Sequence, residues 1–173
     1  CRVKKTALKQ DGRDSVEFYI SPNAGENLKP LTDIVSSGEA ARVMLALKKA
    51  LIEVDLIPVL IFDEIDAQIG GRLGTITGRK LKELSHSRQV IIITHLPQIA
   101  SFADAHYKVV KNVKDNRTIT TIEYLENEIR IKELAKMMSD EKESPIAINH
   151  AKEMLSKAGN WNQASATRNK VKK

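Results

Sequence analysis

The stretch VLIFDEID at 59–66 decides the fold, because four apolar residues run directly into two adjacent carboxylates. A second run of the same kind, VIIITH, follows at 90–95. Neither run alternates with polar residues, a pattern typical of parallel strands that are buried on both faces. A helical stretch predicted at 72–84 separates them. The two runs and this helix therefore predict a βαβ unit.

The segment before this unit predicts a half-buried strand at 15–20, a turn-rich loop, and a helix from Gly38 to about Val54. That helix carries apolar residues at three- and four-residue steps, which predict one buried stripe. The stripe consists of Ala40, Val43, Met44, Leu47, Ala50, Leu51 and Val54.

The segment after Pro97 predicts a short helix at 98–104 and then a hairpin, with strands at 106–112 and 117–125. Two amphipathic helices follow, at about 128–138 and 145–158, and Gly159 is expected to end the second. The predicted fold class is thus α/β: a mainly parallel sheet flanked by helices, followed by a hairpin and two helices.

Composition excludes several classes of protein. The 173 residues are 42% hydrophobic and 29% charged, which suits one globular domain and excludes a disordered chain. The single cysteine, Cys1, cannot form an internal disulfide, which favours a reducing, cytoplasmic setting. No apolar run reaches the roughly 18 residues of a membrane helix, so no membrane partner is expected. Because the chain starts at Cys rather than Met, we expect it to be cut from something longer.

The positive charge is concentrated at the two ends. Residues 1–13 carry a net charge of +4, as do residues 159–173, although the whole chain is only +6. We predict a folded unit at 1–158 and a basic, disordered tail at 159–173. Such ends are most often solvated, and contact with nucleic-acid phosphates is the alternative.

Polar side chains follow both apolar runs. Asp63 and Glu64 end the first run, and Thr94 and His95 end the second. Carboxyl ends of parallel strands meet at one edge of a sheet, where ligands bind. One carboxylate could hold Mg²⁺ while the other activates a water, and His95 could bind a phosphate. The alternatives are a helix cap for the carboxylates and a structural histidine.

The segment Ser36-Ser37-Gly38-Glu39 opens the first long helix. Small residues and free backbone N–H groups at a helix N-terminus suit a phosphate. An ordinary capping box, with Ser36 as N-cap and Glu39 three residues on, explains the same residues. No G-x-x-x-x-G-K-[ST] loop occurs in the chain. A Mg–nucleotide site would therefore be incomplete without another segment.

These motifs, in this order, resemble the C-terminal half of an ABC-type ATPase head. Within that superfamily, ISPNAGENLKPL before the helix, THLPQIASFAD after the second run, and ELAKMMS…AINHAKEML are similar to the RecN family of SMC-like DNA double-strand-break repair ATPases. The resemblance covers about residues 14–158.

The resemblance implies a role for each matching residue. Ser36, Ser37, Gly38 and Glu39 match the signature motif, which in the family binds the γ-phosphate of ATP held by the opposite head. Asp63 matches the Walker B aspartate that positions Mg²⁺, and Glu64 the glutamate that activates water. Asp66 falls in the D-loop, which communicates across the dimer, and His95 matches the switch histidine. Ser37 stands where the family has a glycine.

The resemblance also implies partners that this chain lacks. A Walker A lobe would lie before a long coiled coil, two heads would sandwich ATP as a homodimer, and the protein would hold DNA ends near the nucleoid. By itself this chain is then expected to hydrolyse ATP negligibly. Two alternatives remain open: a fragment of a transporter ATPase subunit, and an ATP-independent DNA-binding module that uses the basic ends.

Overall fold

A computed structural model describes residues 1–10, 12–21, 25, 27–33, 36–114, 117–139 and 144–171, with side chains up to Trp161 except that of Lys114. The strands are β1 (Arg2–Lys9), β2 (Gly12–Glu17), β3 (Tyr19–Ile20), β4 (Lys29–Pro30), β5 (Val59–Phe62), β6 (Gln89–Ile92), β7 (His106–Lys114) and β8 (Arg117–Leu125). The helices are α1 (Ser37–Ala50), α2 (Gly71–Ser85), α3 (Pro97–Ala100), α4 (Asn127–Met138) and α5 (Pro145–Val171). None of these helices is both long and apolar enough to cross a membrane.

The predicted βαβ unit is present. Strands β5 and β6 pair in parallel, with Phe62 opposite Ile92, and α2 connects them. The Ile93 N–H extends the ladder by donating to the Phe62 carbonyl at 2.9 Å. Among the described strands the other three pairs, β1–β2, β3–β4 and β7–β8, are antiparallel. The α/β class is confirmed, and in the described part of the chain its parallel sheet is two strands wide.

Only one face of the β5–β6 pair is covered. Leu60 and Phe62 are buried against side chains of α1, α2 and α3. On the opposite face Ile61 is 67% exposed and Ile93 58% exposed. The prediction of burial on both faces is therefore wrong for the described chain, because its helices pack on one side alone.

The buried side of α1 also differs from the predicted stripe. Gly38 and Leu45 are its buried residues, whereas Met44, Leu51 and Val54 are exposed. Since α1 carries apolar residues around most of its circumference, spacing alone does not identify the covered face.

The C-terminal part contains the predicted hairpin and two helices. Strands β7 and β8 pair from His106 opposite Leu125 onward. Helices α4 and α5 form a second core with α3, made by Ala100, Leu134, Ala135, Ala147 and Ala151.

The predicted end of the last helix is wrong. Helix α5 does not end at Gly159 but continues to Val171. One interior glycine costs a helix only about 1 kcal/mol, and Trp161 packs edge-on against Phe102 at 5.9 Å, beyond that glycine. At the other end, β1 and β2 form a hairpin within the predicted folded unit, and the sequence had not predicted the first of these strands.

Candidate functional site

The ends of β5 and β6 bring the predicted site residues to one edge of the sheet. Asp63 and Glu64 directly follow Phe62, and Thr94 and His95 follow the paired residues Ile92 and Ile93. Both carboxylates are exposed. Glu64 has φ +56°, a left-handed conformation that costs a non-glycine residue on the order of 1 kcal/mol or more. The chain thus turns sharply as it leaves β5, which places Glu64 at the edge.

The side chain of Asp66 connects the end of β5 to the loop that follows β6. Its side chain is buried, and Oδ2 accepts hydrogen bonds from the Thr94 hydroxyl at 2.5 Å, the His95 N–H at 2.8 Å and the Leu96 N–H at 3.3 Å. Burial by itself would raise the pKa of Asp66, but the hydrogen bonds from Thr94 and His95 outweigh it, so the pKa lies below its usual value. An ionised Asp66 therefore holds the loop that follows β6.

His95 is positioned by the same carboxylate. Its Nδ1 lies 3.1 Å from Asp66 Oδ2, while the side chain as a whole is 76% exposed. A carboxylate at Nδ1 sets the orientation of the ring and leaves Nε2 for a ligand. The sequence predicted both residues but not this contact. Asp66 therefore has a positioning role, and its direct contact with a nucleotide stays a prediction.

The segment at the start of α1 both caps this helix and contacts Glu64. Ser36 is the N-cap of α1, and its hydroxyl accepts from the Glu39 N–H at 3.3 Å, as the capping box predicted. The hydroxyl of Ser37 donates to Glu64 Oε2 at 2.5 Å. The signature segment and the predicted catalytic carboxylate are thus in contact within one chain.

Gly38 and Arg42 fasten the turn after β5 to α1. A Cβ on Gly38 would lie 2.8 Å from Ala67 Cβ and 2.9 Å from the Ala67 carbonyl oxygen. A larger residue would therefore push the turn after β5 away from α1. Arg42 donates to the carbonyls of Ile65 and Ala67 at 3.3 and 3.0 Å. We did not predict this role of Arg42. Every residue has a backbone carbonyl, so the sequence does not show which carbonyls an arginine will bind.

The donor set at this edge fits Mg²⁺ held together with phosphates. Magnesium is commonly bound by one or two carboxylates, with substrate phosphates and waters completing its coordination. Asp63 is an exposed carboxylate in the right place for this. Among the described residues, no three acidic, histidine or cysteine side chains could hold a metal by themselves. Mg²⁺ here would need the oxygens of a nucleotide.

No protein-family model matches the chain. It is 46% identical over 144 residues to the DNA repair protein RecN of Treponema pallidum, covering 83% of this chain and 25% of that protein. It is 38% identical over 151 residues to RecN of Bacillus subtilis, covering 87% and 26%. RecN of Deinococcus radiodurans is 43% identical over 144 residues, covering 83% and 25%. The chain spans about a quarter of the length of these relatives.

Solved structures give the same fold. The Smc head domain of Pyrococcus yayanosii, determined with a coiled coil and joint, matches with a TM-score of 0.56 at 26% identity, covering 75% of this chain and 23% of that one. An SMC ATPase studied for ATP-driven dimerization and DNA-stimulated activation matches with a TM-score of 0.50 at 26% identity, covering 72% and 74%. With its fold, its ordered motifs and these relatives, the chain belongs to the RecN family and corresponds to the C-terminal lobe of an ABC-type, SMC-like ATPase head.

Proposed function

We propose that this chain is the C-terminal half of the ATP-hydrolysing head of a RecN-type protein that repairs DNA double-strand breaks. The observation that carries the proposal is the edge where Asp63, Glu64 and His95 meet, with Asp66 holding the His95 loop. Relatives named DNA repair protein RecN support the repair function. They favour it over a transporter ATPase subunit. The site of action would be the cytoplasm, at the nucleoid.

Each residue has a definite task in this proposal. Glu64 orients and deprotonates the water that attacks the γ-phosphate, and His95, whose ring is oriented by Asp66, contacts that phosphate through Nε2. Asp63 would hold Mg²⁺, which neutralises phosphate charge when bound. The start of α1, with Ser36, Ser37, Gly38 and Glu39, would reach the phosphate of the opposite head in a homodimer.

A second lobe must supply the phosphate-cradling loop. The uncovered apolar face of β5–β6 offers it a docking surface, and in the described part of the chain β6 pairs with β5 alone. A further strand could therefore add to β6 while its lobe covers Ile61 and Ile93. We propose that the Walker A lobe of the same protein takes this place.

The test is ATP turnover by this chain with and without a Walker A lobe. We expect the chain alone to release no phosphate above background. The two lobes together should turn over ATP, and Glu64→Gln should lower that rate by about 10²-fold or more, the usual contribution of a positioned general base. Steady turnover by the chain alone that Glu64→Gln abolishes would contradict the division of the site between lobes. Turnover by both lobes that survives Glu64→Gln would contradict the role of Glu64.

An ATP-independent DNA-binding module makes a different prediction. Its binding would depend on salt, need no ATP and persist in Glu64→Gln. If both lobes together bind DNA but never hydrolyse ATP, this second function replaces the first.

A further inference from the structure

A groove between α1 and α2 combines apolar walls with two lysines. It has a volume of about 540 Å³, within the range of sites that accept small molecules. Leu45 and Ala46 of α1 and Ile76 of α2 form much of its wall. Lys49 of α1 and Lys80 of α2 also line it. Lys49 lies near the C-terminal end of α1, at the opposite end of that helix from the signature segment at 36–39.

The two ammonium groups in this groove share one carboxylate. Lys49 and Lys80 both form ion pairs with Glu83 of α2, and Lys80 Nζ lies 3.3 Å from Glu83 Oε1. Two positive charges and one negative charge leave this cluster with a net charge of +1. The side chain of Lys49 is only 37% exposed and lies beside the apolar wall. Its positive charge is therefore partly desolvated and lies close to a second ammonium group.

These surroundings favour the neutral amine of Lys49. Partial burial, and then the neighbouring Lys80, lower the pKa of Lys49 to about 8. Arg42, the third cation that lines the groove, lies seven residues back on α1 and donates to the carbonyls of Ile65 and Ala67. A lysine becomes a nucleophile when it is desolvated or lies beside another cationic group, and Lys49 meets both conditions.

We propose that Lys49 is a modification site, at which an acyl phosphate transfers its acyl group to the side-chain amine. The nitrogen lone pair attacks the carbonyl carbon and forms the N–C bond. The C–O bond to the phosphate then breaks, and its electron pair leaves with the phosphate. The nitrogen releases one proton to water, so the products are an amide, inorganic phosphate and a proton. Lys80, which remains protonated beside the amine, can hold the donor by pairing with its phosphate oxygens.

The modification would change the contact between α1 and α2. An acylated Lys49 is neutral and cannot pair with Glu83, so that carboxylate would keep Lys80 as its partner. The two helices would lose the ion pair that joins them in this groove. The inference does not depend on the proposed ATPase function, because it concerns the chemistry of this side chain alone.

The test measures the acetylation rate of each lysine by mass spectrometry after the chain is treated with acetyl phosphate. At about pH 7.5 roughly a quarter of Lys49 should be unprotonated, against about 0.1% of a lysine with an ordinary pKa. A less basic amine is also a weaker nucleophile, so we expect Lys49 to react about tenfold faster than Lys157. Lys157 is the control, because it is 72% exposed and has a carboxylate of its own, Glu153, at 2.6 Å.

The pH dependence of the rate separates ionisation from accessibility. Acetylation of Lys49 should stop accelerating above about pH 8, whereas that of an ordinary lysine accelerates up to about pH 10. Equal rates at Lys49 and Lys157 would overturn the proposal. So would a rate at Lys49 that keeps rising to about pH 10.

Lys80→Met tests the contribution of the second lysine. It should slow acetylation of Lys49 by about fivefold or more, whereas Lys136→Met, which removes an exposed lysine of α4, should leave that rate unchanged. Acetic anhydride carries no phosphate, so Lys80→Met should slow its reaction less than that of acetyl phosphate. No slowing, or equal slowing by the two variants, would overturn the role of Lys80. Equal slowing with the two reagents would overturn the assignment of an acyl phosphate as donor. Urea unfolding verifies that both variants keep the fold.

Discussion

At the scale of single residues, Asp66 is the group on which the site geometry depends most. Asp66→Asn removes the negative charge, so even with its amide oxygen turned toward Thr94, His95 and Leu96 it accepts only as a neutral group. We expect a loss of roughly 1–2 kcal/mol in the free energy of unfolding, because hydrogen bonds to a charged acceptor are stronger than those to a neutral one. Urea unfolding measures it. Asp63→Asn, at an exposed carboxylate three residues away, is the matched control and should change stability by less than about 0.5 kcal/mol. Equal effects would contradict the role of Asp66.

Ser37 donates to Glu64, so it restrains the carboxylate that we propose as general base. Ser37→Ala removes the hydroxyl and keeps Cβ. In the two-lobe complex at saturating ATP we expect the hydrolysis rate to rise by up to about fivefold, the equivalent of one net hydrogen bond of about 1 kcal/mol. Ser36→Ala, which removes the N-cap instead, should lower stability by about 1 kcal/mol without this gain. An unchanged rate in Ser37→Ala would show that the hydroxyl does not hold Glu64 back, whereas a lower rate would show that its proposed contact with the phosphate of the opposite head matters more.

The sequence predicted the location of these residues better than their contacts. Asp63, Glu64 and His95 stand out because polar groups terminate apolar strands. The burial of Asp66 could not be predicted, since its donors lie 28 to 30 residues further along the chain. Which residues meet there depends on how β5 and β6 pair.

At the scale of elements, α2 packs closely on α3 through its glycines. A Cβ on Gly78 would lie 2.7 Å from the Phe102 ring and 3.1 Å from the Gln98 carbonyl oxygen. Gly78→Ala should therefore destabilise the fold by about 1–2 kcal/mol, because overpacking outweighs the better helix propensity of alanine. Gly159→Ala is the control: nothing lies within 4 Å of its Cβ position, so the gain in propensity should stabilise α5. If Gly78→Ala stabilises the fold instead, the Phe102 side chain can move aside at little energetic cost.

His106, the first residue of β7, should make the free energy of unfolding depend on pH. Burial lowers the pKa of His106, and Arg130 lowers it further against the opposing effect of Glu133. Below the unfolded pKa of about 6.5 the unfolded chain binds the proton more readily, so stability should fall as the pH falls through that value. Urea midpoints between about pH 5 and 8 measure this. In His106→Gln the urea midpoint should change less with pH in that window. If it changes as much as in the unaltered chain, another group causes the pH dependence.

Arg130 explains why α3, which is only four residues long, is held in place. Its guanidinium donates to the carbonyls of Ala100, Ser101 and Ala103 at 3.2, 3.3 and 2.8 Å. Such a clamp on the end of a helix satisfies acceptors that the helix itself leaves open. The spacing in the sequence predicted the helix but not this support, because the arginine is supplied by α4.

At the scale of the whole molecule, the chain leaves a large apolar face of β5–β6 uncovered. We expect Ile61→Asn to change its stability by less than about 0.5 kcal/mol, since the side chain is exposed in this chain. The same change should abolish association with a Walker A lobe, measured by size-exclusion chromatography or calorimetry. Ile122→Asn, at a residue of the hairpin that is 70% exposed, is the control and should leave association intact. Equal losses would place the docking surface elsewhere.

The sequence by itself determined the βαβ unit, the C-terminal hairpin and the two helices after it, and it predicted the candidate site residues at the strand ends. These depend on hydrophobic periodicity and on residues adjacent in the chain, so they can be read locally. Only the tertiary structure decided which faces are covered, that α5 continues past Gly159, and which partners Asp66, Arg42 and Ser37 contact. Those outcomes depend on contacts between segments far apart in sequence, which local patterns do not encode.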